Sequence, residues 1–277
     1  MIQKLHGHSG CRLELIDNNG TIFVRKISRS VSYNERLIAQ CVKQGIDDTE
    51  GFLTPKIFSK GYLKKLFYFD MEYINGLSFT DYLTNIPITS IERYADLFLK
   101  IIPSNPIYDG DARGIFINKV NELDSQIIVK SDSVKIAIQQ LKHFDWKCIY
   151  QGKCHGDLTF ENILIHNDRA YLIDFLDSFY DSWMIDISKL FQDLELQWSY
   201  RNYFSIDENL NIRLIILKKM LIEKLLQLDQ GKNIVLTIYM MLILNLIRII
   251  PYVDSQKDHL FIESALNKIN ILINKQL

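Results

Sequence analysis

The motif HGDLTFENIL, followed by IDF, constrains the fold of this chain more than any other feature. The chain reads CHGDLTFENILI from residue 154 and AYLIDF from residue 170. The runs NILIHN and RAYLIDF flank Asn167 and Asp168, which predicts two short strands joined as a β-hairpin. A hairpin that closes at this turn places Asn162 beside Asp174, because the two residues lie at similar distances from the turn. The sequence therefore predicts a site where an amide and a carboxylate meet.

Asp157 adds a second carboxylate to this pair. Asp157 and Asn162 are five residues apart across a loop, and Asp174 follows twelve residues later on the return strand. Hard cations such as Mg2+ bind oxygen ligands and keep several waters, so an amide oxygen between two carboxylates suits them. The alternative interpretation is that Asp157 and Asn162 are ordinary turn residues, which leaves the joint spacing of the three residues unexplained.

The first 75 residues predict a small β-sheet that carries one helix. CRLELI and TIFVRKI alternate apolar and polar residues on either side of an Asn-Gly turn, which is a strong hairpin signal. Ser32 is a candidate N-cap for a helix with the body ERLIAQCVKQ, which ends at Gly45. Two further strands are predicted around PKIF and within KKLFYFDMEYI. After Gly76 the apolar spacing is mostly helical.

The run H-G-D-x-x-x-x-N with a following I-D-F resembles the catalytic and metal-binding loops of the aminoglycoside phosphotransferase and choline kinase family, within the protein-kinase-like superfamily. The resemblance implies that Asp157 is the base that accepts the proton of an acceptor hydroxyl, and that His155 braces the loop. It also implies that Asn162 and Asp174 hold the Mg2+ ions that bridge the phosphates of ATP, with GTP as the alternative nucleotide.

The fold class that the resemblance implies is α+β, in the bilobal protein-kinase-like arrangement. Residues 1–75 would form a small N-terminal lobe, an antiparallel β-sheet with one helix that binds ATP. Residues 76–277 would form a larger, mainly helical C-terminal lobe that carries the catalytic loop and the metal and acceptor sites.

Departures from the motif distinguish the chain from protein kinases. Gly156 stands where protein kinases carry an Arg, and Thr159 stands where a Ser/Thr kinase would place Lys. Leu176 replaces the Gly after Asp-Phe, and no A-P-E sequence follows. The chain is instead similar to the small-molecule kinases of the family, above all to uncharacterised bacterial phosphotransferases.

The resemblance requires a glycine loop that covers the nucleotide phosphates. The segment HGHSG immediately precedes the first strand of the N-terminal hairpin. Gly7 and Gly10 would let backbone N–H groups approach the phosphates, and Ser9 would add a hydroxyl donor. A G-x-x-G segment taken alone is equally compatible with an ordinary loop.

The resemblance also requires a lysine on the third strand and a glutamate on the next helix. Val24-Arg25-Lys26 fits the V-x-K pattern, and alternation places Lys26 on the same strand face as Val24, with Arg25 on the other. Glu35, in the first helical turn, is the predicted partner of Lys26. The separation of nine residues is shorter than is usual in the superfamily.

The segment YFDMEYINGLSF resembles the M-E-Y-x-x-G linker of these kinases. The resemblance implies that backbone groups from Glu72 to Ile74 bind the adenine edge. Met71 and Ile74 would supply apolar walls, which is the usual form of such a site.

Composition and charge limit the kinds of partner. Lys+Arg 32 against Asp+Glu 33 leaves a net charge of -1, so no basic excess favours a nucleic acid.

The apolar run IVLTIYMMLILNLIRII contains an Asn and an Arg and predicts a buried core helix without membrane insertion. The four cysteines form no C-x-x-C pair, and MIQKLHGHSG is not a signal peptide, so we expect reduced thiols and a cytoplasmic protein. The sequence does not determine the oligomeric state.

The predicted activity is ATP- and Mg2+-dependent phosphoryl transfer to a small-molecule hydroxyl acceptor, a sugar or a related metabolite. A cationic acceptor, which is choline, another amino alcohol or an aminoglycoside, would instead suit a cluster of the acidic residues Asp177, Asp181, Asp193 and Glu195, although basic residues interleave with them. Aromatic residues after Phe179 would stack on sugars or surround choline, but such residues are also typical of a core. The alternative function that is not enzymatic is a nucleotide-binding pseudokinase that serves as a scaffold. The intact base and metal ligands favour the enzyme.

Overall fold

A computed structural model describes residues 2–5, 10–202, 206–253 and 255–276 of the chain. The chain divides into two compact units. The first unit contains Met1–Asn85 and His155–Ser178, and the second contains Ile86–Cys154 and Phe179–Leu277. The lobe boundary predicted after residue 75 stays a prediction.

Strands dominate the first unit and helices the second. The strands are β1 (Ile2–Leu5), β2 (Arg12–Asn18), β3 (Thr21–Ile27), β4 (Phe52–Leu53), β5 (Ile57–Leu63), β6 (Leu66–Glu72), β7 (Leu77–Ser78), β8 (Ile107–Tyr108), β9 (Tyr150–Gln151), β10 (Ile163–His166) and β11 (Arg169–Leu172). The helices are α1 (Asn34–Ile46), α2 (Phe79–Asn85), α3 (Ile91–Leu99), α4 (Ala112–Gln126), α5 (Asp132–His143), α6 (Trp183–Leu196), α7 (Glu208–Leu226), α8 (Gly231–Ile249) and α9 (Gln256–Gln276).

A five-stranded antiparallel sheet, with strand order β1-β2-β3-β6-β5, forms the larger sheet of the first unit. The β2–β3 hairpin pairs Asn18 with Thr21, which confirms the predicted Asn-Gly turn. Asn19 and Gly20 have φ values of 52° and 88°. Positive φ at both central residues matches the twist of the flanking strands, which is why Asn-Gly is favoured here.

Helix α1 packs on this sheet through an apolar stripe. Leu37 and Cys41 are buried in one cluster with Phe67 and Phe69 of β6. The helix begins at Asn34, after a short 3-10 turn that includes the predicted N-cap. The Asn34 side chain binds the sheet instead, because its amide accepts from Phe67 N at 2.9 Å and donates to Lys65 O at 2.8 Å. These bonds fix the rotation of α1 about its axis.

A second, four-stranded sheet in the same unit has the order β4-β11-β10-β7. Strands β10 and β11 are antiparallel and pair His166 with Arg169, which confirms the hairpin predicted at Asn167 and Asp168. Helix α2 anchors the chain before β10, because the ring of Phe79 meets that of Phe160 edge-on at 4.8 Å. Strands β10 and β11 of this sheet lie within the polar motif on which the sequence interpretation depends.

Two long, buried helices form the centre of the second unit. Helix α8 contacts α5, α6, α7 and α9, and every residue of α6 is buried. The segment Gly231–Tyr252 is long and apolar enough to cross a membrane by length and composition, but 78% of its most apolar window is buried inside the protein. Such burial is the behaviour of the core helix that the sequence predicts.

Replacing Leu242 with Ala tests the role of α8 as a core helix. Leu242 is fully buried, so truncation should lower the free energy of unfolding by about 3 kcal/mol through lost burial and a residual cavity. Ile215→Ala on α7 is the control, because Ile215 is 50% exposed and should cost about 0.5 kcal/mol or less. Urea unfolding of detergent-free protein measures both values. Similar losses for the two variants would contradict the core role of α8.

Candidate active site

The loop between His155 and β10 is held by backbone hydrogen bonds and two buried side chains. Thr159 N donates to Asp157 O at 2.8 Å, and Asn162 N donates to Thr159 O at 3.0 Å. Leu158 and Phe160 are completely buried and fix the loop from the apolar side. The Asp157 carboxylate is thereby presented from a rigid turn.

His155 connects this loop to the backbone that follows β11. It is buried, and its Nε2 lies 2.7 Å from Ile173 O, while Asp157 N donates to Nδ1 at 3.2 Å. This pattern requires the neutral tautomer with the proton on Nε2, because Nδ1 acts as an acceptor. Burial lowers the pKa of His155 from the ordinary 6.5 to about 4, against the opposing charge of Asp157. His155 therefore bridges the backbones of Asp157 and Ile173, and its bracing role in catalysis stays a prediction.

Asn162 lies against Asp157 within the loop that precedes β10. Its Nδ2 donates to Asp157 O at 2.8 Å and to Asp157 Oδ2 at 3.2 Å. Its backbone oxygen accepts from Ile173 N at 3.0 Å, which ties the loop to β11. Because the amide nitrogen faces Asp157, the amide oxygen is the atom that can meet a cation.

Asp174 comes two residues after the end of β11 in the left-handed backbone region, with φ 61°. Non-glycine residues seldom adopt this conformation, which concentrates at functional sites. Asp174 Oδ1 forms an ion pair with Lys26 Nζ. Lys26 is buried on β3, so the structure joins the predicted lysine to the predicted metal ligand within one unit.

The predicted pairing of Lys26 with Glu35 is wrong. Lys26 Nζ donates to Gln40 Oε1 at 3.2 Å, whereas Glu35 is exposed on α1. Five residues correspond to about 140° of helix rotation, so the two side chains cannot face the same neighbour. The sequence does contain a signal that could have identified Gln40. Leu37, Gln40 and Gln44 follow helical spacing, and a polar residue on the buried stripe of a helix needs a partner.

Arg25 lies on the strand face opposite Lys26, as alternation predicts. Its guanidinium donates to both carboxylate oxygens of Asp70, at 2.7 and 2.8 Å, and stacks over the ring of Tyr68 at 4.4 Å. Ser59 Oγ donates to the same carboxylate at 2.7 Å. These contacts raise the pKa of Arg25 above its ordinary value, chiefly through the Asp70 hydrogen bond. Arg25 therefore stabilises the sheet, away from the polar motif.

The structure describes some, but not all, of the residues predicted to bind the nucleotide in the first unit. Gly10 has φ 70°, while Gly7 and Ser9 lie outside the described residues. Met71 packs against the α1 cluster, and Ile74 is buried. The Glu72 N–H donates to Lys56 O at 2.8 Å, so this donor is used within the protein. An adenine at this segment would have to use other backbone groups of residues 72–74.

The donor set fits Mg2+ and a nucleotide. Two carboxylates and an amide oxygen are hard ligands, and the buried amine of Lys26 beside them suits a phosphate. Among the described residues no group of three or more His, Cys, Asp or Glu side chains could hold a metal ion. A cation at this site would therefore depend on the amide of Asn162 and on oxygens that a ligand brings.

Comparison with known proteins identifies the fold. No protein-family model matches the chain, and no curated protein sequence matches it significantly. Among solved structures, a thermostable mutant of aminoglycoside phosphotransferase APH(4)-Ia, in ternary complex with AMP-PNP and hygromycin B, has a TM-score of 0.66 at 11% identity and covers 99% of this chain and 93% of its own. Choline kinase LicA from Streptococcus pneumoniae has a TM-score of 0.60 at 14% identity, with 98% and 94% covered. A protein named as a fructosamine-3-kinase from Haemophilus somnus 129PT has a TM-score of 0.56 at 14% identity, with 97% and 90% covered.

The chain has the protein-kinase-like fold. The three similar structures cover nearly all of it, so the predicted α+β fold class is confirmed. At 11–14% identity the similarity establishes the fold and leaves the activity to be argued from the residues.

Gly156 leads to a prediction about the loop, because its backbone leaves no room for a side chain. A Cβ there would lie 2.6 Å from Leu176 O and 2.7 Å from Ser178 Oγ, and the φ of 88° already disfavours other residues. Gly20 has the same φ of 88° with nothing within 4 Å. We expect Gly20→Ala to lower the free energy of unfolding by about 1 kcal/mol and Gly156→Ala by about 3 kcal/mol or more, measured by urea unfolding. Equal losses would show that the close approach to Leu176 is unimportant.

The buried neutral His155 leads to a prediction about pH. Between pH 6.5 and about 4 the unfolded chain binds a proton at this residue and the folded chain does not, so folding becomes less favourable as the pH falls through this window. The contribution should approach about 1.4 kcal/mol per pH unit. Urea unfolding of wild type and His155→Asn at several pH values measures the difference in slope. Parallel profiles would contradict the buried, neutral state of His155.

Proposed function

We propose that the protein is an ATP- and Mg2+-dependent phosphotransferase that moves the γ-phosphoryl group to a hydroxyl of a small molecule. The observation that carries this proposal is that Lys26 pairs with Asp174 and Asn162 with Asp157 within one compact unit. The hydrogen bond from Ile173 N to Asn162 O brings the backbones of the two pairs together. A purely structural role accounts poorly for a buried lysine, a left-handed aspartate and a base on a rigid loop together. The APH(4)-Ia complex with AMP-PNP and hygromycin B supports a nucleotide and a small acceptor on this fold.

Asp157 would orient the acceptor hydroxyl and accept its proton. The neutral His155 keeps the backbone of Asp157 in place without adding a competing charge, since it offers Nδ1 as an acceptor. Lys26 would neutralise the α/β-phosphates, and Asn162 and Asp174 would hold Mg2+, which neutralises charge on the phosphates when bound. Positioning and charge neutralisation should dominate over proton removal, because the transition state of phosphoryl transfer is loose.

A sugar or a related neutral hydroxyl compound is the acceptor class we favour. Of the four acidic residues that would have served a cationic acceptor, Asp177 and Asp181 are exposed. The other two are internal: Asp193 Oδ1 accepts from Ser199 N at 2.8 Å, and Glu195 is 2% exposed. Glu195 accepts from Tyr239 OH at 2.6 Å and pairs with Lys218 at 3.1 Å. Both carboxylates are thus used inside the second unit.

The aromatic residues after the motif also favour the core interpretation over a choline cage. Tyr180, Trp183 and Tyr200 are buried in the second unit. Tyr180 OH donates to Asp109 Oδ2 at 2.6 Å, which lowers the pKa of Asp109. Phe204 lies outside the described residues. Choline, amino-alcohol and aminoglycoside acceptors therefore become comparison substrates in the test.

Asp157→Asn tests this function. With ATP or GTP, Mg2+ and a panel of sugars, amino alcohols and aminoglycosides, wild type should release ADP or GDP with a preferred acceptor. Asp157→Asn should lower kcat by about 100-fold or more while ADP binding, measured by calorimetry, stays within about twofold. Asp168→Asn, on the exposed hairpin turn, should retain full activity. Nucleotide binding without turnover on any acceptor would favour the pseudokinase scaffold.

A further inference from the structure

The buried amine of Lys26 has one carboxylate partner, and its helix partner is neutral. Asp174 accounts for the ion pair, while Gln40 contributes an amide oxygen at 3.2 Å. Lys26 is 3% exposed and Gln40 is 2% exposed, so water offers the amine little compensation. A buried ammonium depends strongly on such an opposite charge. Lys26 is therefore bound to Asp174 more firmly than it would be with a carboxylate at position 40.

Gln40 is itself held in place by α1. Its Nε2 lies 3.4 Å from Tyr33 OH, and one turn further along the helix Gln44 donates to Pro55 O at 2.9 Å. Together with the Asn34 contacts to the sheet, these bonds fix the helix face that meets Lys26. The amide oxygen of Gln40 is thus oriented toward the amine by the fold.

Helix α1 also contacts the segment after Asp174, through the side chain of Lys43. Lys43 Nζ donates to Leu176 O at 3.2 Å, and Leu176 N donates to His155 O at 2.9 Å. The backbone that carries Asp174 is therefore fixed from α1 as well as from the catalytic loop. Exchange of partners at this carboxylate needs a change only in the ion pair, because the backbone beneath it is already in place.

We propose that Gln40 is a positioning residue whose neutral amide orients Lys26 and leaves it paired with Asp174 in the nucleotide-free protein, so that Asp174 becomes a ligand for a divalent cation when nucleotide phosphates draw Lys26 away. The inference rests on the proposed nucleotide and metal site and adds an order of binding to it, nucleotide before or with the cation. The amine and the cation compete for one carboxylate. A glutamate at position 40 would hold the amine and release Asp174.

Mn2+ binding to the nucleotide-free, full-length protein, followed by electron paramagnetic resonance, tests the order of binding. Wild type should bind Mn2+ weakly, and Gln40→Glu should bind it about tenfold more tightly. Gln44→Glu is the matched control, because it adds a carboxylate to the same buried helix face one turn away and should leave Mn2+ affinity unchanged. Equal affinity of wild type and Gln40→Glu, or an equal gain in Gln44→Glu, would overturn the proposal.

Two further variants test whether the change in Mn2+ affinity depends on Asp174 and Lys26. Asp174→Asn in the Gln40→Glu background should abolish the gain in Mn2+ affinity, and a gain that survives overturns the proposal. Lys26→Met removes the amine without adding a carboxylate and should also tighten Mn2+ binding about tenfold, which keeps the test decisive if Gln40→Glu fails to fold. Unchanged Mn2+ affinity in Lys26→Met would overturn the proposal.

Gln40→Met separates positioning from charge. Lys26 keeps its carboxylate partner in this variant, so Mn2+ affinity should stay at the wild-type level. The amine loses its second contact, so metal-free ADP should bind about fivefold more weakly. Unchanged ADP affinity would overturn the positioning role. None of these measurements requires turnover, so an inactive protein with the expected Mn2+ response would refute the proposed function and leave this inference standing.

Discussion

The buried imidazole of His155 holds together the two backbone segments on which the candidate site depends. It joins Ile173 O through Nε2 and Asp157 N through Nδ1, so one neutral ring fixes the proposed base and the backbone next to the proposed metal ligand Asp174. A protonated ring would place a second donor against the Asp157 N–H. The close approach of Gly156 to Leu176 O closes the same junction from the other side. The rigidity of the site thus follows from burial of a group that folding keeps uncharged.

Local patterns in the sequence were sufficient to predict the polar motif and both hairpins. Asn-Gly between alternating strands and Asn-Asp between NILIHN and RAYLIDF specify tight turns through residues that tolerate positive φ, so the turns can be identified without tertiary information. The hairpin also accounts for the hydrogen bond from Ile173 N, next to Asp174, to Asn162 O, and the fold class followed from the motif. The glycine loop was a weaker prediction, because G-x-x-G alone is equally compatible with an ordinary loop, and Gly7 and Ser9 lie outside the described residues.

Contacts that depend on helix rotation were harder to predict. The expectation of Glu35 rested on residue type, whereas the actual neighbour of Lys26 is decided by which face of α1 meets the sheet. Asn34 sets that rotation through two bonds to the β5–β6 turn region, a long-range contact that spacing alone does not reveal.

The division of the chain into two units separates the residues proposed for phosphoryl transfer from the buried carboxylates of the second unit. Lys26, Gln40, His155, Asp157, Asn162 and Asp174 all belong to the first unit, because His155–Ser178 returns to it after the helices that follow α2. The groups proposed for nucleotide, metal and base chemistry can therefore keep their mutual geometry while other residues change. In the second unit, buried carboxylates such as Glu195 are consumed by internal partners. Under the proposed function, a change of acceptor would come from substitutions of exposed residues, since neither the groups proposed for phosphoryl transfer nor the buried ion pairs need to move.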